Sequence, residues 1–177
     1  LGRLWFAPNK LKEYARSDGS RLDGLYVPYW SFDSDTRSRY RGERGDAYYE
    51  TRTVTRNGKT ETERVRKIRW TPVSGRVARD FRDMLVMASQ SLPRNYAHAL
   101  EPWMLGELAP YNPQYLSGFR AEGYTVQLPE GHVIGVQRMD EVIRQDVRRD
   151  IGGDEQRVHS VDTDHDNEKF KHVLLPI

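Results

Sequence analysis

The sequence predicts an α+β domain built on antiparallel strands, and three observations carry that expectation. Asn57-Gly58, set between Thr-rich alternating segments, signals a long β-hairpin over about residues 46–70. A run of apolar residues at helical spacing signals one long amphipathic helix over about residues 129–151. Short β-branched and aromatic runs on either side of both signal further strands.

The hairpin is the clearest local signal, because both central residues of a type I′ turn need positive φ and Asn-Gly adopts it readily. Folding about that turn sets Thr55 opposite Thr60, Thr53 opposite Thr62 and Arg52 opposite Glu63. Such pairs contribute roughly 0.2–1 kcal/mol each. Near the base Ala47, Tyr49, Ile68 and Trp70 fall on one face, whereas near the tip neither face is continuously apolar. The expected object is a solvated arm rooted in a core.

The remaining elements follow in chain order. Residues 9–16 read as a short helix after Pro8-Asn9, stopped by Ser17-Asp18-Gly19. Residues 25–32 suit a strand, which Pro28 pushes towards an edge or a bulge. Two more strands are expected at 76–81 and 84–89, the second with a buried apolar centre. A short helix at 93–100 and an irregular connection through Pro102, Pro110 and Pro113 precede a strand within 118–127. The long helix starts near Pro129, packs through Val136, Met139, Ile143, Val147 and Ile151, and stops at Gly152-Gly153. Two final strands, 157–163 and 169–175, are expected to be joined by an acidic turn, Asp164-His165-Asp166-Asn167.

All of this reads as a single domain over 1–177, with ribbon and strands at 22–89, an irregular connection at 93–117, and strand, helix and C-terminal strands at 118–177. Opening without Met and closing on apolar Val173 to Ile177, the chain reads as an internal piece of a longer protein.

Composition narrows the class. With 177 residues, 37% hydrophobic and 31% charged, the chain can build a real core. The net charge of +2 is uneven: residues 37–79 hold 13 basic against 5 acidic residues, and residues 80–177 are net negative. The absence of cysteine excludes disulfides and thiolate zinc sites within this stretch. The longest apolar runs, 84–88 and 173–177, are too short to span a bilayer, so the chain reads as a soluble domain.

No residue is assigned a catalytic, cofactor-binding or metal-binding role, and the chain is not expected to be an enzyme. There is no G-x-x-x-x-G-K-[ST] loop to hold phosphates and no G-x-G-x-x-G turn for a dinucleotide. Asp162, Asp164 and Asp166 resemble the start of a calcium loop, but Asn167 stands where that loop needs Gly and Val173 where it needs a bidentate Glu. His98, His132 and His172 are scattered.

The one functional lead is basic and aromatic. Tyr48, Arg52, Arg56, Arg64, Arg66, Lys67 and Arg69 form a candidate interaction surface on the hairpin, with Tyr49 and Trp70 interleaved. Cations beside aromatic rings hold phosphates and stack bases. The same charges also guard an exposed ribbon against edge-to-edge aggregation, and Glu50, Glu61 and Glu63 break up the positive field.

Four strings carry a resemblance over essentially the whole chain: Trp5-Phe6-Ala7-Pro8-Asn9-Lys10-Leu11-Lys12, Leu22-Asp23-Gly24-Leu25-Tyr26-Val27-Pro28-Tyr29-Trp30, Tyr40-Arg41-Gly42-Glu43-Arg44-Gly45-Asp46 and Arg148-Arg149-Asp150-Ile151-Gly152-Gly153-Asp154. They resemble bacterial membrane-anchored zinc-ribbon proteins often described as "primosomal protein N-prime (replication factor Y)". The resemblance implies a parent with an N-terminal cysteine-rich zinc ribbon, this middle domain, and a C-terminal membrane-spanning helix. Zinc would then lie outside this stretch, and the domain would face the cytoplasm beside the inner membrane. The replication description implies a helicase, against which the missing phosphate loop argues for this region. The expected function is a non-enzymatic interaction or scaffold domain with a protein partner. The alternative is a nucleic-acid-binding module of DNA replication restart that uses the Arg-rich hairpin.

Overall fold

The computed structural model describes residues 24–56, 59–91 and 103–177, with the side chains of residues 56, 59 and 61 outside that description. The fold is α+β: a four-stranded mixed sheet and one long helix. Strand β1 is Leu25–Arg56, β2 is Lys59–Met87, β3 is Arg120–Ala121 and β4 is Glu155–Pro176. The helix, α1, is Leu128–Ile151, and two short 3-10 turns occupy Leu105–Glu107 and Pro113–Leu116.

β1 is the central strand. The carbonyls of Gly24, Tyr26 and Pro28 accept from Arg120, Glu122 and Ala88, so β3, parallel to β1, and β2 lie along one side of it. Leu25 exchanges both backbone bonds with Ile177 at 3.1 and 2.8 Å, which sets β4 antiparallel along the other side. The hairpin is longer than the sequence indicates, because the strands expected at 25–32, 76–81 and 84–89 are continuous with its two arms.

Pro28 is the first departure. It sits in the central strand, buried, and not at an edge. A proline is tolerated there because the carbonyl it cannot serve, that of Ala88, takes the amides of Thr125 and Val126 at 2.8 and 3.0 Å. The second departure is the expected acidic turn at 164–167, which is no turn. Residues 155–176 form one strand, and Asp162, Asp164 and Asp166 alternate along one face of it. Asn167 has positive φ, at 53, and its side-chain amide donates to Asp35 at 2.9 Å. The strand expected within 118–127 shrinks to two residues. The helices expected at 9–16 and 93–100 lie outside the described residues.

The chain divides into two compact units, and each of β1, β2, β4 and α1 contributes to both. Unit 1 draws its described residues from Leu1–Asp33, Arg82–Gln137 and Lys169–Ile177. Here β1 is covered on both faces, so every residue from 27 to 32 is buried. On one face Val27, Tyr29, Val173 and Leu175 form a core flanked by Leu85, Met87, Trp103 and Leu105. Full burial of such side chains is worth about 1.5–3 kcal/mol each. On the other face Trp30 and Phe32 lie against the helix at Gly131 and Gly135, where a Cβ would come within 2.6 and 2.9 Å of the two rings. The Trp30 indole donates to the Val126 carbonyl at 2.9 Å.

In unit 1, β2 also carries one left-handed residue. Asp83 has φ 55, and its amide donates to the Asp33 carboxylate at 2.9 Å. This is the local device of a β-bulge. Ser31 donates to Asp83 at 2.9 Å, and Lys171 reaches both carboxylates at 2.9 and 3.2 Å. The nearby ammonium holds Asp83 below the usual carboxylate range.

Unit 2 is Ser34–Phe81 with Arg138–Glu168. Along β1, Ser34, Thr36, Ser38 and Tyr40 are buried while Arg37, Arg39 and Arg41 are exposed, the period of a sheet covered on one face. Each buried hydroxyl is satisfied: Ser34 with His165 at 3.1 Å, Thr36 with the Arg79 carbonyl at 2.8 Å, Ser38 with Thr163 at 2.8 Å and Tyr40 with Asp150 at 2.6 Å. In α1 the buried residues Met139, Ile143, Val147 and Ile151 recur every four positions, and Ile151 meets Gly42. The helix ends as expected, with Gly152 and Gly153 at φ 65 and 76.

Asp146 of α1 takes Arg79 as a bidentate partner and Arg149 as a second. The Arg79 guanidinium holds its carboxyl below the usual range. On the opposite, open face Arg37 pairs with Asp166 at 3.6 Å, and Arg39 with Asp162 and Asp164 at 3.6 and 3.4 Å. The alternating aspartates are thus one half of a cross-strand charge ladder.

Candidate interaction surface

The hairpin changes character where β4 begins. Asp154 donates its amide to the Gly45 carbonyl at 2.9 Å and accepts the Ala47 amide at 2.7 Å. Outward of this point, among the described residues, β1 and β2 pair only with each other. Residues 49–53, 55, 60, 62–64 and 66–67 are exposed, as expected for a solvated two-stranded arm.

The six described candidate side chains do not form one surface, because alternation divides them between the two faces of the ribbon. On one face the Arg69 guanidinium lies over the Tyr48 ring, 5.4 Å from its centroid, and Lys67 pairs with Glu50. Lys67 also senses the charge of Arg52. Its ammonium is pushed up and the Glu50 carboxyl down, each first by the hydrogen bond between them. On the other face Arg64 lies over Tyr49 at 5.0 Å, and Arg66 reaches Glu155 at 2.8 Å. The Arg56 side chain is outside the described residues.

Two further groups belong to this end of the sheet. Tyr49 is 58% exposed and carries the Arg64 stack. The Trp70 indole crosses Gly45 and meets Arg157 of β4 at 3.8 Å. The sequence offers no signal for Arg157, because it lies 87 positions from Trp70 and its place depends on how β4 pairs.

Chemically, the arm presents cations stacked on aromatic rings and exposed threonines at 51, 53, 55, 60 and 62. Arg64 and Arg69 have aromatic partners but no carboxylate among the described residues. No group of three or more His, Asp or Glu side chains among the described residues is placed to hold a metal ion. No described helix is long and apolar enough to cross a membrane. In comparisons with known proteins the chain matches no family model, no curated protein and no solved structure.

Proposed function

We propose that the chain is a non-enzymatic interaction or scaffold domain whose two-stranded hairpin end engages another protein. The observation that supports it best is the exposure of both faces of this arm, stiffened at its base by the Tyr48–Arg69 and Tyr49–Arg64 stacks. Such ribbons bind partners through main-chain edges and alternate side chains. The test joins Tyr48 to Lys67 through a two-residue Asn-Gly turn, deleting the arm and keeping the sheet. Loss of a specific, reproducibly cross-linked partner supports the reading, and retention of every partner by the shortened chain sinks it.

A second reading, a nucleic-acid-binding module associated with replication restart, is favoured by the guanidinium and ring pairs on the arm. Binding to single-stranded, duplex and forked DNA should then fall steeply with salt. Absence of binding at low salt removes it. The wider setting rests on the four sequence strings: a cytoplasmic domain of a parent anchored in the inner membrane, with zinc in an N-terminal ribbon.

A further inference from the structure

Three features meet on β2 between Arg64 and Arg69. This run holds Arg64, Arg66, Lys67 and Arg69 and no carboxylate. Among the described residues β2 pairs only with β1, so its outer backbone edge is unpaired here. The proline of this strand, Pro72, lies beyond the run, so no backbone donor is missing within it.

The molecule itself contains an example of what such a strand accepts. Arg37 and Arg39, two positions apart on β1, face Asp162, Asp164 and Asp166, which alternate on β4. Alternate residues of any strand repeat every 6.4–6.8 Å or about that. A strand with acids at every second position therefore matches a strand with cations at every second position. On β2 the same spacing occurs twice, as Arg64 with Arg66 on one face and Lys67 with Arg69 on the other.

We infer that the outer edge of β2 at residues 64–69 takes an extended acidic peptide segment, with carboxylates at alternate positions, as an added strand. The inference rests on the interaction-domain reading and supplies the chemistry of the partner. Backbone bonds to the free edge hold the segment, and the cations select its charge pattern. The carboxylates of such a segment share one face, so in one register they meet Arg64 directly and Arg66 by exchange from Glu155, and in the register shifted by one residue they meet Arg69 directly and Lys67 by exchange from Glu50.

The experiment uses the full chain and a fluorescent Asp-Thr-Asp-Val-Asp-Thr peptide, read by anisotropy at low salt. Expected are saturable binding, at least about tenfold weaker binding when alternate peptide amides are N-methylated, and a similar loss in an Arg64→Gln/Arg69→Gln variant that keeps its β circular dichroism. A Lys-Thr-Lys-Val-Lys-Thr peptide should not bind. Equal binding of the N-methylated peptide overturns the inference, because charge alone would then suffice. Binding of oligothymidylate without binding of the acidic peptide also overturns it, in favour of a phosphate site. A partner that is lost on deleting the arm but kept by the Arg64→Gln/Arg69→Gln variant overturns the inference and leaves the interaction-domain reading standing.

Discussion

The indole of Trp70 lies against Gly45, the residue of the neighbouring strand that has no side chain to obstruct it. A Cβ at position 45 would come within 2.7 Å of Ile68 and 2.9–3.0 Å of the Trp70 ring. Gly45→Val is therefore expected to destabilise unit 2 by about 1–3 kcal/mol through overpacking. Urea denaturation checks it. The loss should be smaller in a Trp70→Ala background, since neighbouring substitutions are not additive.

Tyr40 makes the matching arrangement on the helix face, over Gly75, with its hydroxyl donating to Asp150 at 2.6 Å. Burial first, and then the Asp150 carboxylate, push its pKa up to about 12. The folded state therefore keeps a proton that the unfolded chain gives up near pH 10. The resulting stability is complete below pH 10 and is lost as pH rises through about 12. Tyr40→Phe should lose about 1 kcal/mol at neutral pH and should flatten the alkaline limb followed by circular dichroism.

Acid acts through the opposite sign. Asp146 is held below the usual range by Arg79, and Asp83 by Lys171. Their contribution is present above the unfolded value, about pH 3.9, and is lost as pH falls through the lower folded values. Asp146→Asn is expected to reduce the pH dependence of stability in that acid window while lowering stability at neutral pH. An unchanged acid limb would show that the Arg79 pair does not couple to folding.

At the bulge, Asp33 supplies the acceptor for the Asp83 amide at 2.9 Å. Asp33→Ala should leave that donor unsatisfied, at a cost of about 1–3 kcal/mol. Asp33→Asn, which retains a carbonyl oxygen, should cost less. Hydrogen exchange reads this directly: the Asp83 amide should exchange faster in the alanine variant.

The parts of the fold legible in the sequence were those fixed by local rules. Asn57-Gly58 located the hairpin, and the apolar stripe ending at Gly152-Gly153 located α1. Local polarity misled at 164–167, where the charges that look like a turn are matched by Arg37 and Arg39, more than 120 positions away. The alternation itself was visible, since Asp162, Asp164 and Asp166 have the period of a strand. Pro28 misled for a similar reason, because the donors that replace its missing N–H come from Thr125 and Val126. On the arm, composition revealed the cations but not their division between two faces, nor the pairing of Arg64 and Arg69 with tyrosines.

Asn167 bears on how the protein behaves in concentrated solution. A 22-residue edge strand of unbroken pleat would be a template for stacking chain upon chain. One left-handed residue near its middle interrupts that pleat, so the strand offers no single flat edge along its whole length. The asparagine thus sets a ceiling on self-association that the charges around it share, and a β-branched residue in its place would lower the concentration at which the protein stays clear.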